Sequence, residues 1–423
     1  MRIPLLLLLL ALATPAPGVG QTLVHLPVAP TPEAQGFSSA RLARIDSMLD
    51  DLVARQQIPG AVVLIARNGQ IVKHTAYGYR DVGTRAALRK DDIFRIASQS
   101  KAITSLAVMM LWEEGRFGLD DPISRYLPEF AKPSVLTSFN PKDSSYTAEP
   151  AGREITIRQL LTHTSGLDYP GIGSEQLRAI YAKAGVPSGI GTNGATIGEK
   201  MKILATLPLK AKPGQEFTYS LSLDVLGYFV EVISGVPFDR FLRTRIFDPL
   251  GMDDSWFHLP PEKASRLVTL HDGKSGTVEP VKGTVFDGVD PDYPASSGTY
   301  FSGGAGLSGS IEDYARFLQF FLNKGELNGV RLLSPKTVEL MMADQIPTLP
   351  VRHGLGFSLE TSANDHRSPK TIGSFSWGGA FNTSYWADPA EHLVALIYTN
   401  QSNPAVPALG DRFTTMTYAA IMR

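Results

Sequence analysis

The chain has 423 residues, 43% hydrophobic and 19% charged, a globular profile that excludes a disordered or fibrous polypeptide. Forty Lys and Arg against 41 Asp and Glu leave a formal net charge of -1, which removes the electrostatic footprint expected of a nucleic-acid partner. The absence of Cys excludes disulfides, thiolate metal sites, a cysteine nucleophile and a lipid-modified amino-terminal Cys.

Residues 1–20 read as a signal peptide: one early cation, Arg2, an apolar run from Leu5 to Leu12, then small residues and prolines. The run is too short to span a bilayer. Cleavage is expected after Gly20, with Ala16 as a rival site, so the protein is expected to be exported to the periplasm or beyond. No later apolar run approaches the ~20 residues of a membrane span. Residues 21–37, rich in proline and without a period, form an extended amino-terminal arm, and the fold proper occupies residues 38–423.

Ser38 or Ser39 caps a helix with Leu42, Ile45, Leu49, Leu52 and Val53 at helical spacing, ended by Pro59-Gly60. A β-branched run, Ala61 to Ala66, then meets the hairpin signal Asn68-Gly69 and a return strand from Ile71 to Tyr77. The middle reads as mostly helical, with helices at Ser98–Glu114, Ile157–Leu161, Leu221–Ser234 and Ile311–Asn323. Two stretches dense in Gly, Pro, Ser, Thr and Asn, Pro133–Gly152 and Gly185–Gly198, read as long surface loops. The carboxyl end mirrors the start: a strand at Ser384–Ala387, a turn at Asp388-Pro389, a strand at Leu393–Thr399, and a helix from about Ala408 to Met422. This symmetry predicts one antiparallel sheet built from both ends of the chain.

Ser98-Gln99-Ser100-Lys101 is the first place where chemistry is expected. If both residues lie in the first turn of a helix, a spacing of three brings the hydroxyl and the amine onto one face. A lysine can then take the serine proton, and the free N–H groups of the helix start can hold a tetrahedral oxyanion. The motif is common by chance, so its weight comes from context: it stands where the extended segment Asp92–Ala97 runs into a helix. No Gly-x-Ser-x-Gly elbow exists; Ser308 comes nearest but lacks the second glycine. The eight histidines contain no pair spaced as helical zinc ligands, and His163 is expected to bond backbone at a helix end.

Phe94-Arg95-Ile96-Ala97-Ser98-Gln99-Ser100-Lys101, followed by Leu160-Leu161-Thr162-His163-Thr164-Ser165-Gly166-Leu167, resembles the serine β-lactamase and penicillin-binding-protein superfamily, on its class C and family VIII carboxylesterase branch. Supporting stretches are Leu119-Asp120-Asp121-Pro122, Phe217-Thr218-Tyr219-Ser220 and Ser302-Gly303-Gly304-Ala305-Gly306-Leu307, and the resemblance runs from about residue 38 to the end. It implies an α/β sandwich, an antiparallel sheet flanked by helices, with a helical subdomain inserted roughly within residues 90–300.

The resemblance also assigns roles: Ser98 the nucleophile, Lys101 and Tyr219 the proton handlers. The family's Tyr-x-Asn is met only by Tyr219-Ser220-Leu221, and the literal Tyr398-Thr399-Asn400 comes in the wrong order and reads as structural. For the sheet-edge element, Lys370-Thr371-Ile372-Gly373 is nearly literal, but Trp377-Gly378-Gly379 is preferred, with the Ala380 N–H joining that of Ser98 to bind the oxyanion. Tyr219 and Trp377 as plain packing residues remain the alternatives. The resemblance implies no metal and no organic cofactor, and a small ester or amide as substrate. Leu221 and Trp377 remove an amide and a cation suited to β-lactams, which ranks a short-chain carboxylesterase or transesterase first. A β-lactamase or D-amino-acid peptidase comes second, and a catalytically silent penicillin-recognising protein is the alternative of another class.

Overall fold

The computed structural model describes residues 25–192, 194–286 and 288–423. The expected signal peptide lies outside the described residues.

Helix α1, Ser39–Ala54, starts where Ser38 accepts a hydrogen bond from the Arg41 N–H. Strands β1, Gly60–Arg67, and β2, Gln70–Asp81, follow as the expected hairpin, and β3, Ala86–Ala87, extends β2 outward. Four strands from the far end of the chain complete the sheet: β4, Ser358–Leu359; β5, Phe375–Gly379; β6, Thr383–Asp388; β7, Leu393–Tyr398. The order is β4-β5-β6-β7-β1-β2-β3, every pair antiparallel. The two ends of the chain meet at β1 and β7, in register from Val62 opposite Tyr398 to Arg67 opposite Leu393.

β1 is buried on both faces, which is why it reads as a continuous apolar run. Ala61, Val63 and Ile65 face α1 and the carboxyl-terminal helix, with Ile45, Leu49 and Phe413. Val62, Leu64 and Ala66 face the larger core of the helical body. At the centre of that body is α2, Ser100–Glu113, mostly apolar and buried from Ser100 to Leu111. Around it lie α3, Ile157–Leu161; α4, Glu175–Ala184; α5, Ile197–Ala205; and α6, Ser222–Ser234. Helix α7, Ile311–Leu322, packs on β1, β6 and β7, and α8, Leu409–Ala419, closes the other face beside α1.

Three expectations are corrected. Pro133–Gly152 is not a loop: Ser134–Asn140 and Ser145–Pro150 pair as an antiparallel hairpin. Its strands are largely exposed and held by hydroxyl pairs such as Thr137 with Thr147 (2.8 Å) and Ser138 with Thr147 (2.6 Å). Only Val135, Leu136 and Phe139 are partly buried against the core and the second strand is exposed throughout, so no apolar alternation betrays the pair. Helices α4 and α5 were not anticipated, although Thr196 and Glu199 form a capping box at the start of α5. The described part of the arm is also more than an extended strap: Pro32–Gln35 is a 3-10 turn, and Phe37 is buried and bridges to Ile421.

Asn400, in the Tyr-Thr-Asn copy read as structural, locks β7 to the strand before Ser98. Its Oδ1 accepts from the Arg95 N–H (3.2 Å) and Arg95 Nη1 (3.1 Å), and its Nδ2 donates to the Arg95 carbonyl (3.1 Å). The Arg95 guanidinium is fully buried and also donates to the Val268 carbonyl (2.7 Å). Asn400 has φ +53°, so Asn400→Gly keeps the backbone relaxed while deleting the side chain. That variant is expected to lose about 2–3 kcal/mol of unfolding free energy in urea, the cost of stripping hydrogen bonds from a buried charged group.

Candidate active site

The strand Phe94–Arg95 pairs with Ser308–Gly309 and runs into a 3-10 turn, Ala97–Gln99, before α2 begins. Ser98 therefore stands just ahead of the α-helix rather than in its first turn, yet the spacing still aims Ser98 and Lys101 at one another. Ala97 has φ +43°, a left-handed conformation costing about 1–3 kcal/mol for a residue with a Cβ. Neighbours hold it there. The Ile96 N–H donates to the Leu307 carbonyl (3.1 Å), Ser100 Oγ donates to the Ala97 carbonyl (2.6 Å), and the Leu307 N–H donates to Ser100 Oγ (3.1 Å). Below, Tyr314 donates to the Gln99 carbonyl (2.9 Å) and Tyr398 to its side chain.

Two groups converge on Ser98 Oγ. Tyr219 hydroxyl is 2.6 Å away and Lys101 Nζ 3.4 Å. The ammonium also donates to the Gly304 carbonyl (2.7 Å) and lies 4.5 Å from the centre of the Tyr219 ring and 5.4 Å from that of Tyr169. The Tyr169 ring is stacked on Tyr219, centroids 5.5 Å apart. Tyr169 was not anticipated, and only its nearness to the His163 motif hinted at it.

Behind Lys101 stands a second residue that sequence reasoning missed. Asp224, fully buried on α6, accepts from Ser302 Oγ (2.5 Å), while its Oδ2 faces Gly304. A Cβ on Gly304 would sit 2.4 Å from that oxygen, so the Ser302–Leu307 stretch needs glycine there to pass between carboxylate and lysine. Burial pushes the Asp224 carboxyl up to about 6, against the Ser302 hydrogen bond and the Lys101 charge.

His163 bonds backbone, as expected, but at the tyrosine segment rather than at its own helix end. Its carbonyl accepts from the Thr218 N–H (2.8 Å) and its Nδ1 from the Ser220 N–H (3.2 Å), so it grips Tyr219 from both sides. Desolvation, helped by the nearby His353 and Lys101 charges, holds the imidazole well below the usual range and hence neutral.

Trp377-Gly378-Gly379 is the last part of β5. β4 covers β5 only at Phe375 and Ser376, leaving the sheet edge open from Trp377 onward. A Cβ on Gly379 would lie 2.4 Å from the Ile96 carbonyl, so this edge rests directly against the nucleophile turn, with the exposed Ala380 next in line. Trp377 is half-buried, its ring 5.8 Å from Tyr219 and 5.5 Å from His353. Lys370-Thr371-Ile372-Gly373 lies at the other end of the hairpin, where the Thr371 N–H donates to the Asp388 carboxylate (3.2 Å). Leu221 is fully buried in the main core.

These positions give a pH prediction. A carboxyl whose folded pKa rises from 3.8 to about 6 contributes stability that is complete below about 4 and is lost as pH rises through about 6. Ionised above that, Asp224 faces the Lys101 side chain across Gly304. The rate kcat/KM is therefore expected to climb through an acid limb near pH 6, and Asp224→Asn to remove that limb while lowering the plateau. His353, pushed down to about 4 by burial, and His163 do not titrate there. A limb that persists unchanged in Asp224→Asn assigns it elsewhere.

The Beta-lactamase family matches residues 45–417. Esterase EstB of Burkholderia gladioli is 33% identical over 411 residues, covering 90% of this chain and 97% of its own. The structure of EstCE1, a hydrolase with promiscuous acyltransferase activity, is similar with a TM-score of 0.76 and 28% identity, covering 90% of this chain and 98% of its own. Unliganded simvastatin synthase LovD from Aspergillus terreus, as its selenomethionyl derivative, is similar with a TM-score of 0.74 and 26% identity, covering 90% and 99%. Because the matched span takes in strands from both ends of the sheet and the three segments around Ser98, the chain as a whole, and not one motif of it, belongs to the Beta-lactamase family.

Proposed function

We propose that this protein is a serine hydrolase that cleaves or transfers carboxylic esters through an acyl-enzyme on Ser98. The convergence of Tyr219 and Lys101 on the Ser98 hydroxyl carries the reading. Tyr219, acting as the phenolate whose negative charge the Lys101 ammonium offsets, takes the Ser98 proton as Oγ attacks the ester carbonyl. The N–H groups of Ser98 and Ala380 hold the oxyanion. The tetrahedral adduct collapses, the alcohol leaves with the proton from Tyr219, and the acyl group stays on Ser98. Water, or a second alcohol in transesterification, then attacks the acyl carbonyl with Tyr219 again as base, returning the proton to Ser98 Oγ.

Relatives named esterase, lovastatin esterase and acyltransferase support the ester class. Trp377 supports it too: an indole offers no cation for the carboxylate of a β-lactam. Export rests on the composition of residues 1–20 and is tested by the mature amino terminus, expected at Gln21.

Incubation with an activated ester is expected to add one acyl group to Ser98, read by mass spectrometry. Ser98→Ala is expected to abolish turnover with a melting temperature within a few degrees of the parent, because a half-buried hydroxyl contributes little packing. Lys101→Arg, a cation too large and rigid for the site, is expected to lose about 10³-fold in rate. With p-nitrophenyl butyrate and a chromogenic cephalosporin assayed side by side, the ester is expected to turn over faster, and Trp377→Lys to lower KM for the cephalosporin alone. Parallel losses on both substrates, or fast cephalosporin hydrolysis by the parent, overturn the substrate ranking.

A further inference from the structure

Four aromatic rings close a circuit beside the reaction centre. Between centroids, Tyr219 lies 5.8 Å from Trp377, Trp377 5.5 Å from His353, His353 5.9 Å from His163, and His163 4.9 Å from Tyr219. Phe217 touches two of them, His163 at 5.8 Å and His353 at 5.6 Å. Tyr219 and Trp377 are half-buried, whereas His163 and His353 are buried behind them. Tyr219 handles the proton, and His163 grips the peptides on either side of that tyrosine. His353 is the member that this chemistry leaves unused.

Trp377 lacks the support that a strand residue ordinarily has. Its same-face neighbour toward the turn is Gly379, which has no side chain, and β4 has already left β5 at Ser376. β4 ends there because the chain ahead of it doubles back: the Gly354 N–H donates to the Phe357 carbonyl (2.9 Å), and His353 bridges to Ser358. The reversal carries the His353 ring to Trp377, with the two ring planes at 85°.

The imidazole is anchored from several sides. Its Nδ1–H donates to the Gly354 carbonyl (2.6 Å). The His353 carbonyl accepts from the Gln345 N–H (2.9 Å), and Gln345 Oε1 accepts from Arg158 on α3 (2.6 Å). Arg158 is in turn held by Asp120 through two hydrogen bonds, 2.7 and 2.8 Å, so the Leu119-Asp120-Asp121-Pro122 stretch reaches the sheet edge through His353. Gly356 seats the reversal on α2, where a Cβ would lie 2.5 Å from Ser105 Oγ. Burial pushes the imidazole down to about 4, so it packs as a neutral ring.

We infer that His353 is the positioning residue of Trp377: its ring, anchored from the helical body, fixes the indole against Tyr219 and so sets the aromatic wall of the site. The ring carries the effect rather than the Nδ1–H, because Nδ1 is turned to its own chain at Gly354 while the ring meets Trp377, Phe217 and His163. The inference rests on the acyl-enzyme reading for its effect on turnover, and on packing alone for its effect on the indole.

The test separates the ring from the hydrogen bond. His353→Phe keeps a ring and loses the Nδ1–H, whereas His353→Asn keeps an N–H donor and loses the ring. Near-UV circular dichroism, which requires fixed side-chain packing, reads Trp377 as the difference between each protein and its Trp377→Phe counterpart. His353→Phe is expected to retain that difference spectrum and His353→Asn to lose it. With p-nitrophenyl butyrate, His353→Asn is expected to raise KM about fivefold, the scale of one aromatic pair, with kcat within about threefold of the parent. The acid limb near pH 6 is expected to stay in place, and His353→Phe to bring KM back to the parent value. In a Trp377→Ala background, His353→Asn is expected to raise KM no further, since its effect runs through the indole. A difference spectrum that survives His353→Asn, a His353→Phe variant that behaves as His353→Asn does, or additive losses in the double variant overturns the assignment. If the parent turns over no ester, the acyl-enzyme reading fails by itself, and the difference spectra still decide the role of His353.

Discussion

The site depends on holding one short turn, Ile96 to Gln99, in a conformation its own residues disfavour. Ala97 is left-handed, a geometry available only because its surroundings fix it: Leu307 and Ser100 on one side, Tyr314 and Tyr398 beneath, and the glycine edge of β5 above. Apart from Ser100, these partners come from segments far away in sequence. The nucleophile is therefore positioned by the completed sheet and not by local sequence, and the strain at Ala97 is offset by the whole core around it.

That arrangement explains why both ends of the chain are needed. β7 supplies Tyr398 and leads into Asn400, which grips the backbone of Arg95 just before the turn. β5 supplies the open edge, and β4 is short enough to leave it open. The helical body contributes the other half: α2 carries Lys101, the segment before α6 carries Tyr219, and His163 binds the peptides on either side of that tyrosine. A neutral imidazole suits this bracing role, because Nδ1 must accept a hydrogen bond while a lysine ammonium stands nearby.

Charge is arranged with similar economy. Lys101 is almost completely buried, and a buried ammonium requires partners. It has the Gly304 carbonyl, two aromatic rings and, behind them, the Asp224 carboxylate. Asp224 is itself under strain, since burial raises its carboxyl to about 6 and one serine hydroxyl offsets only part of that cost. The glycines of Ser302–Leu307 are a structural requirement of this layering: a Cβ on Gly304 would collide with the carboxylate, and one on Gly303 with the Leu223 carbonyl.

The sequence by itself determined the elements with strong periodicity or unbroken apolar character. α1, the β1 and β2 hairpin, α3, α6, α7 and the last two long strands follow from patterns that burial on a fixed face imposes. The Ser98 and Lys101 pairing was legible too, because a spacing of three joins side chains in a 3-10 turn as it does in an α-helix. The hairpin at Ser134–Pro150 was not legible, since its second strand is exposed throughout and leaves no apolar alternation. Nor were Asp224, Tyr169 and the bracing role of His163, whose significance is their distance to residues far away in sequence. Tertiary structure alone decided that Gly379 would press on Ile96 and that Ile190 would join one buried apolar cluster with Ala97, because both are contacts between distant segments, set by how sheet and helical body close on each other.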